Sequence, residues 1–445
     1  MDGREEQLQK KREERRKRRV RNQIMAYTVL GIIVLALAAG IVFGVRYLLK
    51  MGTDTEQKEQ EEQQEKQDMI NEILSSEDDI AAVSPEPVPE PAEPTEEEML
   101  DELVDARIES MSLEDKVAGL FLVTPETVMG GTAVVQAGED ARQALTRRPV
   151  GGLVWLSQNI QSEEQIREMF ASIKEYATYP LFMAVDEEGG SVARVTSAGI
   201  GSPAEAASEI GASGDPQNAY QAGVSIGNTL SALGFNLDFA PVADLANVEG
   251  SIMAGRSYGT DPAVVSEFVI SVMTGLEEQK VTACLKHFPG IGSSTEDTHE
   301  GMAATDRTAE QFWAEELAVF GAGIEAGANM IMVGHMAAPA LTGDNNPCIF
   351  SRTLLTDILR ERMGFSGVII TDALNMSAVS EYYGADEAAI MAVLAGCDML
   401  LMPEDFEKAY TGVLQAVQEG NISEDRIDDS LRRIYRIKYA DMVGE

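Results

Sequence analysis

Residues 281–300 read VTACLKHFPGIGSSTEDTHE. The stretch opens as an apolar run, Val281 to His287, with the look of a buried strand; Pro289, Gly290 and Gly292 cannot continue it. Lys286, His287, Asp297 and His299 therefore fall at or just beyond the strand's carboxyl end, where parallel α/β folds keep their chemistry. Two of the chain's three histidines lie here. Asp297 and His299 are two positions apart, so a short extended loop holds both on one side. The carboxylate then accepts from one ring nitrogen and leaves the other free, which is a proton-transfer device. A lone Asp-x-His pair is also the pattern of a solvated turn, and the neighbouring segments have to decide between the two. Gly290, Gly292 and Gly301, with small polar residues between them, predict a mobile loop with little to pack against that closes over a bound ligand.

The same strand-then-helix pattern repeats on both sides. Apolar runs occur at Val117–Val123, Gly152–Leu156, Leu181–Asp186, Asn236–Val242, Val281–His287, Asn329–His335, Gly367–Asp372 and Cys397–Met402. Between them, stretches such as 161–176, 261–279, 308–326 and 384–395 carry helical spacing, often opened by Ser, Thr or Asp caps. Eight such units in residues 100–445 match a closed parallel (β/α)8 TIM barrel in count and size. A doubly wound open sheet is the other arrangement with this alternation.

In a barrel the residues that matter stand at strand ends, and this chain repeatedly puts reactive side chains there. The third run ends in Asp186-Glu187-Glu188-Gly189-Gly190, with Arg194 shortly after. Arg256 lies in the loop after the fourth, Lys286 and His287 end the fifth, His335 ends the sixth and Asp372 the seventh. Taken singly, Asp186 could cap a helix, Arg256 could pair with a surface acid and His335 could be a satisfied barrel-end histidine. Their shared placement on one predicted face points to a site.

Composition divides the rest. The first 22 residues hold ten Lys or Arg and five Asp or Glu, about +5, which leaves −44 for residues 23–445 out of a net −39. So acidic a chain is unsuited to nucleic acid, whose phosphates need the opposite surface. From Ile24 to Val45 there are 22 residues without a charge, enough at ~1.5 Å per residue to cross a ~30 Å hydrocarbon core. A cleaved signal peptide is the competing reading, but the run is long for one and no convincing cleavage site follows. The chain thus divides into a basic tail (1–23), a transmembrane helix (24–48), a Glu/Gln/Pro-rich linker (49–99) and the barrel (100–445). Basic residues before the span place the amino terminus in the cytoplasm and the barrel outside. Cys284, Cys348 and Cys397 are odd in number, two of them in apolar runs, and read as buried thiols. No Cys/His cluster suggests zinc, and neither metal nor cofactor is expected. Oligomeric state is left open.

Five motifs in order, VDEEGGSVARV (185–195), GFNLDFAPVADL (234–245), GRSYGTDP (255–262), KHFPGIG (286–292) with DTH (297–299), and GFSGVIITDALNM (364–376), resemble glycoside hydrolase family 3. The resemblance is to the single-barrel β-N-acetylglucosaminidases of bacterial cell-wall turnover and covers residues 100–445. It implies that Asp372 is the nucleophile, His299 the general acid/base and Asp297 its partner. It also implies that Asp186, Arg194, Arg256, Lys286 and His287 bind the sugar of N-acetylglucosamine-containing glycans or muropeptides. The chain departs from the family pattern at Ile291, Thr298 and Ala373, and none of these removes a proposed catalytic group. The implied activity is exo-acting, retaining hydrolysis through a covalent glycosyl-aspartate. Alternatives within the family are a β-glucosidase, β-xylosidase or glycosyl phosphorylase. From other classes come a metal-dependent hydrolase using His287, His299 and Asp297, and a non-catalytic wall-binding barrel. An imidazole near its ordinary pKa of ~6.5 suits acid and base work at neutral pH without the upward shift a carboxyl needs.

Overall fold

Parallel strands buried on both faces have no polar side to alternate with, so they read as continuous apolar runs, and each of the eight runs contains a strand. In a computed structural model that describes residues 94–296 and 301–442, these are β1 (Phe121–Val123), β2 (Gly152–Trp155), β3 (Phe182–Val185), β4 (Leu237–Asp238), β5 (Thr282–Phe288), β6 (Met330–Val333), β7 (Val368–Thr371) and β8 (Leu400–Leu401). They pair in parallel in the order 8-1-2-3-4-5-6-7. A parallel bridge between Ile370 and Met399, with Thr371 N–H donating to Met399 O at 3.1 Å, joins the last edge to the first. The TIM barrel expected from the repeat is therefore what the chain forms.

Helices cover the outside: α1 (Glu96–Glu109), α2 (Glu139–Arg147), α3 (Glu163–Tyr176), α4 (Pro216–Leu233), α5 (Pro262–Glu277), α6 (Glu316–Glu325), the π-type α7 (Thr353–Arg362), α8 (Ala385–Ala395), α9 (Phe406–Gln418) and α10 (Glu424–Tyr439). Their ends follow local chemistry. Asp215 and Asp261 cap α4 and α5 through their carboxylates, and each is followed by a proline that needs no N–H partner in the first turn. Trp155, Phe170 and Phe235 meet edge to face, with centroids 4.5 to 6.0 Å apart, and tie β2 and α3 to the entry of β4. Where β8 closes the barrel, the fully buried Asp398 accepts from Ile369 N–H (2.9 Å), Ser430 Oγ (2.7 Å) and Arg433 Nη1 (3.2 Å), and it also pairs with Arg360.

Three boundaries differ from the sequence reading. The first apolar run begins with Val117 and Ala118, but these end a short helix, Leu113–Ala118, capped by Ser112, and the strand starts only at Phe121. The helix expected over 308–326 is broken at Glu315, whose backbone (φ −124, ψ −84) is not helical. At the other end, Thr95 and Glu98 form a reciprocal capping box and α1 begins at Glu96, inside the stretch assigned to the linker. The expected tail and membrane span, and the linker up to residue 93, lie outside the described residues. Among the described residues, no helix is long and apolar enough to cross a membrane. All three cysteines are free and buried, as expected.

Candidate active site

Leaving β3, the chain passes Asp186 and turns into a hairpin, Glu187–Gly189 against Val192–Ala193. Extended chain alternates its side chains, so Asp186 and Glu188 share one side and Glu187 takes the other. Glu187 is accordingly spent on structure, accepting from Val195 N–H (2.7 Å), Thr196 N–H (3.1 Å) and Thr196 Oγ1 (2.6 Å). On the opposite side Lys286, 2 % exposed, donates to Asp186 Oδ1 (2.8 Å) and reaches Glu188 Oε1 (2.7 Å). Arg256 grips Glu188 with a two-bond fork, Nε at 2.8 Å and Nη2 at 2.7 Å. The planar fork suits a carboxylate in a way a lysine does not.

This cluster sets its own charges. Burial pushes the Glu188 carboxyl up, but Lys286 and Arg256 outweigh it and bring it down from 4.5 to about 2. Burial also works against the cations, yet the carboxylates hold both Lys286 and Arg256 above their ordinary values. Because the folded pKa of Glu188 is depressed, its stabilisation is present above pH 4.5 and fades as pH falls through about 2. The size is about 3 kcal/mol at most. Melting wild type and Glu188→Gln from pH 7 to 2.5 is expected to show the widest gap at neutral pH and a narrowing gap towards acid. A gap that stays constant would contradict the ionised triad.

Lys286 and His287 owe their direction to an irregularity. In the β5–β6 ladder Leu285 pairs with Ile331 but Phe288 with Val333, so one extra residue is accommodated where these two side chains leave the strand. His287 Nδ1 lies 2.8 Å from Asp244 Oδ2, and Asp244 is fully buried. Asp372 follows β7 directly. Its N–H donates to Val333 O at 2.9 Å, and its Oδ1 accepts from Ala373 N–H at 2.8 Å. Burial pushes the Asp372 carboxyl up, but His335, His287, the Ala373 amide and Lys286 together hold it below the ordinary aspartate value. At neutral pH it is a carboxylate. His335 is fully buried and its Nε2 donates to Ala373 O at 2.8 Å, pinning the loop that carries Asp372. That matches the satisfied barrel-end histidine considered from sequence.

Asp186, Arg194, Arg256, Lys286, His287 and Asp372, all singled out from sequence, line one cavity of about 290 Å³ at the carboxyl end of the strands. Arg194 lines the cavity with its Nε buried and without a hydrogen-bond partner among the described residues, and its charge also acts on the Glu187 carboxyl. Apolar side chains, among them Leu156, Met376 and Met402, close the remaining walls. A larger cavity of about 400 Å³ opens at the amino end of the barrel beside Val281, Thr282 and Asn329. Its cations are already paired, Lys280 with Asp441 and Arg436 with Glu97 and Asp101, and barrel enzymes do not work from that face. Among the described residues no group of acids, histidines and cysteines could hold a metal.

Asp297 and His299 lie outside the described residues. The start of their loop departs from expectation, because Gly290, Ile291, Gly292 and Ser294 are buried. A Cβ on Gly292 would come within 1.8 Å of Leu245 O, and one on Gly290, at φ +121, within 2.6 Å of Glu316 Cγ. These glycines serve close packing rather than looseness. Sequence reasoning also missed Glu188 and Asp244. Glu188 had a usable signal, since it stands two residues from Asp186 on extended chain.

The sequence model of the glycosyl hydrolase family 3 N-terminal domain matches residues 112–437. The chain is 29% identical over 325 residues to beta-hexosaminidase A of Pseudoalteromonas piscicida, covering 66% of this chain and 54% of that protein. It therefore spans about half the length of that relative. It is 34% identical over 275 residues to a beta-hexosaminidase of Chromobacterium violaceum, covering 61% of this chain and 76% of that one. Among solved structures, a glycoside hydrolase family 3 beta-N-acetylglucosaminidase from Paenibacillus sp. str. FPU-7 superposes with a TM-score of 0.69 at 32% identity, over 76% of this chain and 64% of that one.

Proposed function

The chain belongs to glycosyl hydrolase family 3, and from that premise we propose that it is a retaining exo-β-N-acetylglucosaminidase acting on peptidoglycan fragments or related glycans. The observation that carries the reading is the single cavity in which an ionised Asp372 faces a rim of Asp186, Lys286, Arg256 and Arg194. Retaining hydrolysis needs a carboxylate beneath the anomeric carbon and a proton donor at the glycosidic oxygen. Asp372 attacks the anomeric carbon to form a glycosyl ester as the leaving oxygen takes a proton from His299. In the second half, His299 removes a proton from water, which displaces Asp372 from the sugar. Asp297 accepts from the other ring nitrogen and stabilises the imidazolium. Asp186 accepts from sugar hydroxyls, Lys286 and the arginines donate to hydroxyl and N-acetyl oxygens, and His287 accepts from a sugar hydroxyl at Nε2.

Release of p-nitrophenol tests this reading. The full-length chain is expected to cleave the N-acetyl-β-glucosaminide at least about tenfold faster, in kcat/KM, than the plain β-glucoside; a tenfold ratio requires only ~1.4 kcal/mol of differential transition-state binding. Adding phosphate is expected to leave the rate unchanged. Preference for the glucoside, a phosphate requirement, or no turnover would each contradict it, the last favouring a wall-binding barrel.

The proposal extends to location: the run 24–48 anchors the chain, with the basic tail inside and the barrel outside the cell. Protease added to intact cells is then expected to remove the barrel while the tail stays protected. A protected barrel would reverse the orientation.

A further inference from the structure

One buried carboxylate beside the cavity is absent from the mechanism just given. Asp244 follows β4, is fully buried and is not among the residues lining the cavity. Both of its oxygens are nonetheless committed to the neighbouring segment. Oδ2 accepts from His287 N–H at 3.1 Å and from His287 Nδ1 at 2.8 Å, while Oδ1 accepts from Ile291 N–H at 2.7 Å. Burying an ionised carboxylate is costly unless its lone pairs are satisfied, and here three donors come from the five-residue turn that joins His287 to Ile291.

The consequence for His287 follows from bond direction. A carboxylate only accepts, so Nδ1 must carry the proton and Nε2 is the ring nitrogen left for the cavity, which His287 lines. We propose that Asp244 is a positioning residue: it fixes the His287 tautomer and ring plane so that Nε2 meets the sugar, and it clasps the turn at Ile291 that begins the acid/base loop. This deepens the reading above and rests on it for the identity of the sugar. A purely structural clasp would require the two backbone N–H bonds but not the bond to Nδ1.

Asparagine tests the difference because it keeps the shape and offers a single acceptor oxygen. If that oxygen faces His287, the amide NH₂ opposes Ile291 N–H. If it faces Ile291, the NH₂ opposes Nδ1 and favours the other tautomer. The probe is the full-length chain labelled with ¹⁵N-histidine, whose three histidines are assigned from His287→Gln and His335→Gln. Wild type is expected to show His287 protonated at Nδ1 with slow proton exchange, and Asp244→Asn to lose that slow exchange or shift the proton to Nε2. In parallel, Asp244→Asn is expected to lower kcat/KM on the aryl N-acetylglucosaminide about 10- to 100-fold, the range for losing a charge-assisted bond. In the His287→Gln background it should lower it by less than about threefold, since the two changes remove one interaction.

A wild-type His287 protonated only at Nε2 overturns the proposal, and needs no variant to fold. So does an unchanged Nδ1 signal in Asp244→Asn, or a full loss that persists beside His287→Gln. If the chain cleaves no N-acetylglucosaminide yet the ring signals behave as stated, the functional reading fails while the positioning role of Asp244 stands.

Discussion

Asp372→Ala is expected to fold as wild type does and to turn over on the order of 10⁴-fold more slowly or worse, the scale seen when a covalent nucleophile is removed. Folding should survive because the structural tie of this residue is its backbone N–H to Val333 O at 2.9 Å, which alanine keeps. Among the described residues the side chain accepts one hydrogen bond, from Ala373 N–H at 2.8 Å, and burial works against its charge. Because burial offsets much of what the neighbouring groups contribute, the ionised side chain adds only a modest net stabilisation, and the melting temperature should fall only slightly. The rate has no such compensation. Among the described residues no other carboxylate lining the cavity is free to replace it, since Asp186 bonds Lys286 at 2.8 Å and Glu188 is shared by Lys286 and Arg256. A 2-fluoro glycoside with a good leaving group slows both steps and should leave a sugar esterified to Asp372, located by peptide mass. A label on Asp186 or Glu188 would remove Asp372 from the role.

How far the sequence carried the reading depends on how local each feature is. The eight strands were legible because a strand buried on both faces needs an unbroken apolar run. Val117 and Ala118 were misassigned for the same reason: two apolar residues ending a helix look like two residues starting a strand. Lys286, His287, Asp186 and Asp372 were legible because a barrel puts strand ends on one rim whatever its loops do. Asp244 was not, because its partners are 43 and 47 positions away. The loop at Gly290 and Gly292 was misjudged likewise, since a glycine needed for close approach and a glycine needed for mobility are the same letter. What distinguishes them here is Leu245 and Glu316 against the turn, and those contacts exist only once β4, β5 and α6 are assembled.

The sharpest remaining test concerns His299, whose role rests on its place two residues after Asp297. A sugar alkoxide leaves poorly without a proton, whereas p-nitrophenolate departs unaided, so an acid catalyst matters for one substrate and hardly for the other. His299→Ala is accordingly expected to lower kcat/KM on an N-acetylglucosaminyl disaccharide by about 10² to 10⁴, and on the p-nitrophenyl glycoside by less than about tenfold. Using kcat/KM confines the comparison to the first chemical step. In the second step the same imidazole serves as base, so kcat on the aryl substrate should fall further than kcat/KM as the glycosyl-aspartate accumulates. Asp297→Ala should give the same split in milder form, since the ring remains but loses the carboxylate that orients it and stabilises its charged form. Equal losses on both substrates would take His299 out of the acid role and pass it to Glu296 or Glu300. Glu296 is exposed, with its backbone N–H bonded to Ser294 Oγ at 3.0 Å.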